Sequence, residues 1–168
     1  MTGAAMAASV SIPHTCVVLG VGLRALAQPA ALQALWRQAQ DHLPESIEPT
    51  GFCAVAVLDR KADHAALAQW LQAQPGDAPV LPVAAEALPA QAVHTQSPRL
   101  QARYGTGSVA EAAALSAAGP RAELLLPRLV AEDGSATLAV ALRRPAPGQA
   151  DCCFAAAGPG LATALTQE

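Results

Sequence analysis

The segment YGTGSVAEAAALSAAG, residues 104–119, predicts a glycine-containing loop that leads directly into a buried helix. Ser108 is a favourable N-cap residue and Glu111 follows three positions later, so Ser108-Val-Ala-Glu111 predicts a capping box. The residues that follow are almost all small or apolar, which indicates a helix that is buried on most sides. Gly119 and Pro120 predict the end of the helix, because glycine is common after the last turn and proline cannot continue it.

The start of this helix is also a candidate binding site for an anion. Gly105 and Gly107 flank Thr106 in the loop, and the free backbone N–H groups of a helix start carry partial positive charge. A carboxylate or a phosphate group would suit such a place. The alternative is that the glycines only form a tight turn and that Ser108 and Glu111 only cap the helix. The residues alone leave both interpretations open.

Length and composition predict one folded domain. The 168 residues are 52% hydrophobic and 14% charged, which is enough for a single core and argues against a disordered chain. Aromatic residues are 3% and the formal net charge is −3, so a stacking or basic surface for nucleic acid is not expected. The N-terminus lacks the basic region of a signal peptide, and the apolar run at residues 16–23 is too short to cross a bilayer. We therefore expect a cytoplasmic protein without nucleic-acid or membrane partners.

Alternating apolar runs and helical patterns follow the order strand, helix, strand, helix, strand. The runs at residues 16–20, 51–58 and 79–83 predict buried strands. Between the first and second runs, after Pro29, apolar residues recur at helical spacing: Leu32, Leu35, Trp36, Ala39 and Leu43. Between the second and third runs, a shorter helical pattern follows Asp59. Residues 84–103 lack periodicity and predict a long irregular connection of the kind that often lines a binding site.

A hairpin is predicted near the C-terminus. Asp133-Gly134 is a turn signal between the apolar residues 129–130 and 137–141. With the upstream alternation, this predicts an α/β fold: a single three-layer domain at residues 16–144, with a mostly parallel central sheet and a C-terminal hairpin. Residues 1–15 are predicted to form a flexible leader, and residues 145–168 a Pro/Gly/Ala-rich tail.

Candidate ligand-binding residues gather at one edge of the predicted sheet. Ligands of open α/β sheets bind beyond the carboxyl ends of the strands, where the loops at residues 20–24, 58–61 and 95–108 are expected to meet. Cations and hydroxyl groups in these loops suit a carboxylate ligand. The predicted ligand-binding residues are Gly20, Gly22, Arg24, Lys61, Thr95, Ser97, Gly105, Thr106, Gly107, Ser108 and Glu111. The four histidines and four cysteines show no metal-ligand spacing, so we predict no metal and no cofactor, and the residues alone identify no catalytic group.

A nucleotide-binding site is a further alternative. Residues 20–25, GVGLRA, match the dinucleotide fingerprint G-x-G-x-x-A. The context is poor, however, since the next helix is predicted to begin near Pro29 and Asp59 lies well beyond the usual spacing of the acidic residue.

The motifs together resemble one family. Gly20-Val-Gly-Leu-Arg24, then Lys61, Thr95-x-Ser97, GSVAEAAAL at residues 107–115 and Leu124-Leu-Leu-Pro-Arg128 occur in the order found in the CobE/CbiG C-terminal family of cobalamin biosynthesis. The resemblance covers residues 16–143, and the run at residues 107–115 is its most specific part. The chain departs from the family at Arg128, where the family commonly has lysine; this keeps the positive charge but removes amine chemistry.

The resemblance implies a role in corrin ring synthesis, a branch of porphyrin metabolism. It implies binding of a precorrin or corrin acid as a carrier or accessory factor, with other corrin-pathway enzymes as further partners. The alternative that it implies is hydrolysis: CbiG-type proteins open the lactone of a cobalt-precorrin and release acetaldehyde. Those longer chains carry additional N-terminal regions, so whether this chain is an enzyme stays open at this point.

Overall fold

The computed structural model describes residues 16–44 and 51–144. The leader and the tail predicted from the sequence lie outside the described residues. The strands are β1 (Cys16–Leu23), β2 (Ala54–Leu58), β3 (Val80–Val83), β4 (Glu123–Val130) and β5 (Ala136–Arg143). The helices are α1 (Pro29–His42), α2 (Ala65–Gln72), α3 (Pro98–Tyr104) and α4 (Val109–Ala118), with short 3₁₀ turns at Asp59–Lys61 and Ala85–Ala87.

The five strands form one mixed sheet in the order β3-β2-β1-β5-β4. β1, β2 and β3 are parallel, whereas β5 is antiparallel to both of its neighbours. The α/β fold and the C-terminal hairpin are therefore confirmed, but a mostly parallel sheet is matched only in part. The difference arises because the β4–β5 hairpin returns to the centre of the sheet and pairs β5 with β1.

Helices cover both faces of the sheet, as three layers require. Alternate residues of β1 enter two separate cores: Val17, Leu19 and Val21 pack with α1 and α2, and Val18 packs with α4. A strand that is buried on both faces has a continuous apolar sequence, which explains the run that predicted β1. The predicted face of α1 is also confirmed, because its buried residues are Leu32, Leu35, Trp36 and Ala39.

Two glycines that were expected in a loop lie inside β1. The strand continues to Leu23, since Gly20 pairs with Ala139 of β5 and Gly22 with Thr137. A Cβ atom on Gly20 would lie 1.8 Å from the carbonyl oxygen of Ala110 in α4. The glycine therefore lets the alanine-rich helix approach the sheet closely, which is the packing reason for its position.

Among the helices in residues 16–44 and 51–144, none combines the length and the apolar character that crossing a bilayer requires.

Candidate ligand-binding cleft

A cleft of about 640 Å³ lies at the carboxyl ends of β1 and β2. Its walls are the loop after β1, the 3₁₀ turn after β2, helix α3 and the β4–β5 hairpin. Because β5 runs antiparallel to β1, the beginning of β5 also reaches this edge. The position agrees with the general rule for ligand sites of open α/β sheets.

The cleft is strongly cationic. Six of the ten Lys and Arg residues of the chain line it: Arg24, Arg60, Lys61, Arg99, Arg103 and Arg128. None of the described residues that line it is Asp or Glu. A protein with a net charge of −3 therefore carries a concentrated positive field at one place.

The lining between these cations is apolar or carries hydroxyl groups. Val21 and Leu58 come from the ends of β1 and β2, Val109 from the first turn of α4 and Val130 from the end of β4. Val130 is 50% exposed, which is high for a large apolar side chain. The hydroxyl groups are those of Ser97, Tyr104, Ser135 and Thr137.

Tyr104 links two walls of the cleft. A guanidinium nitrogen of Arg60 donates a hydrogen bond to the Tyr104 hydroxyl. The Cζ atoms of Arg60 and Arg103 lie 5.3 and 5.1 Å from the centre of the Tyr104 ring, within the range of a cation–π interaction. The turn after β2 and helix α3, which are 44 residues apart in the chain, are thereby held together.

Arg128 differs from the other cations of the cleft. Its side chain is half-buried on β4, and its Nε atom is buried without a hydrogen-bond acceptor among the described residues. Nearly all buried polar groups in folded proteins have a partner, so an unsatisfied donor on a residue that lines a cleft is unusual. Because the Nε atom is itself closed to solvent, a ligand oxygen would reach it only after the side chain shifts.

Four of the eleven residues predicted from the sequence line the cleft: Gly22, Arg24, Lys61 and Ser97. The backbone of Arg24 is fixed on both sides, because its N–H donates to the Ser135 carbonyl at 2.8 Å and its carbonyl lies 2.9 Å from a ring nitrogen of His64. The Ser97 hydroxyl also caps α3 by accepting from the N–H of Leu100 at 3.5 Å. The cleft-lining hydroxyl therefore sits at a defined helix start.

The other seven predicted residues do not line the cleft. Gly20 lies beneath α4, as described above. Gly105 ends α3 in the left-handed conformation, with φ of 70°. A Cβ atom on Gly107 would lie 2.2 Å from the carbonyl oxygen of Thr95, so this glycine permits a close backbone contact. Thr106 is 2% exposed and makes hydrogen bonds to the backbone of Ser108.

Glu111 is completely buried and holds the preceding connection in place. Its carboxylate accepts hydrogen bonds from the N–H of Thr95 at 3.1 Å and of His94 at 3.3 Å. Ser108 caps α4 as predicted, since its hydroxyl accepts from the N–H of Glu111 at 3.2 Å. The reciprocal half of the capping box is wrong, because the N–H of Ser108 bonds to Thr106 and leaves the carboxylate for the 94–95 backbone.

Sequence reasoning missed seven polar residues of the cleft: Arg60, Arg99, Arg103, Tyr104, Arg128, Ser135 and Thr137. Three of them belong to α3, which lies largely inside the stretch predicted to be irregular. A signal for this helix was present, because Ser97-Pro98 combines a good N-cap with proline in the first turn. Arg99 and Arg103, four residues apart, then share one helix face.

Comparison with known proteins agrees with the motif order. The model of the family described as "Cobalamin synthesis G C-terminus" matches residues 17–141. The crystal structure of CobE, a protein from the cobalamin (vitamin B12) biosynthetic pathway, is 27% identical with a TM-score of 0.63, over 76% of this chain and 90% of that chain. Cobalamin biosynthesis protein chiG from Agrobacterium tumefaciens is 30% identical with a TM-score of 0.55, over 77% and 99%.

A cobalamin biosynthesis protein G homologue from Sulfolobus solfataricus shares the fold alone, at 16% identity and a TM-score of 0.55 over 77% of this chain and 37% of that chain. No curated protein sequence shows a significant match. The family match covers most of the chain and includes the motifs that suggested the resemblance. The chain therefore belongs to the cobalamin synthesis G C-terminus family and takes part in cobalamin biosynthesis.

Proposed function

We propose that the cleft binds a precorrin or corrin acid and that the protein serves the pathway as a carrier or accessory factor. The observation that carries this proposal is the concentration of six cationic side chains, without a carboxylate among the described lining residues, around one partly apolar cleft. Corrin intermediates carry several carboxylates around a large apolar macrocycle. The cations of the cleft are complementary to the carboxylates, and its apolar side chains are complementary to the macrocycle.

The carboxylates of the ligand would bind at the rim. Guanidinium groups bind carboxylates through two parallel hydrogen bonds, and five of the six cations are arginines. The macrocycle would pack on the apolar lining formed by Val21, Leu58, Val109 and Val130. A volume of about 640 Å³ lies within the range of about 300–1,000 Å³ that is usual for small-molecule sites.

Hydrolysis of a lactone has less support from this geometry. Opening the lactone would need a general base or a nucleophile within reach of the ring. Lys61 and four hydroxyl groups line the cleft, but none of the described lining residues is an Asp, Glu, His or Cys that could activate them, and Glu111 is completely buried with its oxygens bonded to backbone N–H groups. Nucleotide binding has no support either, because Gly20 and Gly22 lie within β1 and not in a loop before a helix.

Gel filtration with hydrogenobyrinic acid tests the proposal. We expect the pigment to elute with the protein, chemically unchanged. Removing one cation of the cleft in Arg24→Met should weaken binding by about two- to fivefold, the usual effect of a single exposed ion pair. Arg121→Met is the matched control, since Arg121 is also exposed but does not line the cleft. Equal loss in both variants, or pigment that elutes free, would contradict the proposed site; pigment of altered mass would favour hydrolysis.

A footprint of the cleft gives an independent readout. Lys61 is the one lysine of the sequence, so an amine-reactive reagent has one side-chain target and the N-terminal amine as an internal reference. Bound pigment should slow modification of Lys61 relative to that of the N-terminal amine, as measured by peptide mass spectrometry. Unchanged labelling of Lys61 under saturating pigment would show that the ligand binds elsewhere.

A further inference from the structure

We infer that the cleft recognises the ionised free-acid form of its ligand and discriminates against neutral ester or amide forms of the same molecule, with Arg128 as the anchoring residue. The inference rests on the proposed function and adds the chemical state in which the ligand is bound.

The side chains of the cleft offer many hydrogen-bond donors and few acceptors. Arginine and lysine donate and cannot accept, and none of the described lining residues is Asp, Glu, Asn or Gln. The remaining polar side chains carry hydroxyl groups, and that of Tyr104 already accepts from Arg60. A ligand group that only accepts hydrogen bonds is therefore matched to this lining, and one that must also donate is not.

An ionised carboxylate is such an acceptor, with two oxygens and no proton to place. A primary amide would bring two N–H donors among guanidinium donors, with few side-chain acceptors to receive them. A methyl ester would keep a carbonyl oxygen but lose the charge that strengthens each hydrogen bond. Both neutral forms should bind more weakly for reasons that are independent of the ring.

Arg128 is expected to contribute more to this discrimination than the exposed cations. Arg24, Arg60, Arg99 and Arg103 are exposed, so water solvates their charges before a ligand arrives and each gains little on binding. The Nε atom of Arg128 is buried and has no acceptor among the described residues. A ligand carboxylate that the Arg128 side chain turned to meet would satisfy a donor that is otherwise left unpaired, which is where a hydrogen bond gains most.

Equilibrium dialysis with hydrogenobyrinic acid and its heptamethyl ester tests the inference, at equal concentrations of a neutral detergent. We expect the ester to bind at least about 30-fold more weakly, because several charge-assisted contacts are lost together. Arg128→Met should weaken binding of the acid about tenfold and leave the ester almost unchanged. Arg121→Met should change neither. Esters that bind within about twofold of the acid would overturn the inference while the proposed function stands.

A second pair of probes separates the proposed corrin binding from the inferred selectivity for ionised carboxylates. Benzenehexacarboxylate presents a flat apolar ring with carboxylates at its edge, and its hexamethyl ester is the neutral counterpart. If only the hexacarboxylate protects Lys61 from modification and neither corrin compound binds, the selectivity is supported and corrin binding is wrong. If neither benzene compound protects Lys61 and neither corrin compound binds, both are wrong. Should Arg128→Met not fold, Arg128→Lys keeps the charge and removes Nε, and it should also lower the ratio of acid to ester affinity.

Discussion

Replacing Gly20 by alanine should disrupt the contact between the central strand and α4. The new Cβ atom would lie 1.8 Å from the carbonyl oxygen of Ala110 and 2.8 Å from the Cβ atom of Ala114. Cβ atoms essentially never come closer than 3.0 Å to such neighbours, so the helix backbone has to retreat by the difference between 3.0 and 1.8 Å, about 1.2 Å. No side-chain rotation can relieve this contact, because the obstructing atom belongs to the backbone.

The cost should be large because α4 covers one face of the sheet. Seven residues of the helix are buried, and a shift of about 1.2 Å loosens their packing against β1, β2 and β5 together. Forcing extra atoms into a close-packed core costs about 1–3 kcal/mol and occasionally more. We expect Gly20→Ala to lie at the upper end, with a loss of about 3 kcal/mol from a domain stability of about 5–15 kcal/mol.

Urea unfolding followed by far-UV circular dichroism measures this effect. With a denaturant dependence of about 1–3 kcal/mol per molar, the unfolding midpoint should fall by about 1–3 M. Gly51→Ala is the control: no described atom lies within 4 Å of its Cβ position, and we expect a change of less than about 0.5 kcal/mol. Equal midpoints for the two variants would refute the close contact between Gly20 and α4.

Three further predictions concern the cleft and its surroundings. Glu111→Gln keeps the volume of the side chain but replaces one acceptor of the backbone N–H groups by a donor, so unfolding should become easier by about 1–2 kcal/mol in urea. The side chain and backbone N–H of Ser135 hold the pKa of Asp133 below its ordinary value of 3.8. The stabilising contribution of Asp133 is therefore present above that value and declines as the pH falls through the lowered pKa; Asp133→Asn should flatten this part of the acid unfolding profile. Tyr104→Phe keeps the aromatic ring but removes the acceptor for Arg60, so the affinity for hydrogenobyrinic acid should fall by about two- to fivefold in dialysis, and less than for Tyr104→Ala.

Local patterns in the sequence predicted the strands and helices whose side chains are buried on one face or on both faces. The apolar run of β1 and the helical spacing of Leu32, Leu35 and Trp36 depend on neighbouring residues of the chain, and both were confirmed. The hairpin could also be predicted from the sequence, because Asp133-Gly134 is a local signal for its turn. Such features need no knowledge of distant partners.

The direction of β5 and the end of β1 depend on distant partners. Gly20 and Gly22 predict a loop when only their neighbours are considered, since glycine weakens a strand. They are held in the strand by pairing with Ala139 and Thr137, which are more than one hundred residues away. Nothing local to residues 16–25 indicates that a hairpin from the C-terminal part of the chain will pair there.

The sequence predicted those cleft residues that follow directly after the parallel strands β1 and β2. The rule for open sheets placed Arg24 and Lys61 at one edge, and both line the cleft. Arg60 could have been included, since it is adjacent to Lys61. The arginines of α3 required recognition of the helix, and Arg128 required knowledge that β4 lies at the far side of β5 from β1.

The net charge of a chain says little about such a site, because the sheet order determines how the charges add. The six cations of the cleft come from four segments of the chain, around residues 24, 60–61, 99–103 and 128. Each segment alone resembles an ordinary solvated surface with one or two charges. Placing β5 beside β1 turns the β4–β5 hairpin toward the ends of the parallel strands, and the segments then face one volume of about 640 Å³. The affinity for a polyanionic ligand therefore depends on the topology of the sheet. Two chains of equal composition but different strand order would differ in this affinity.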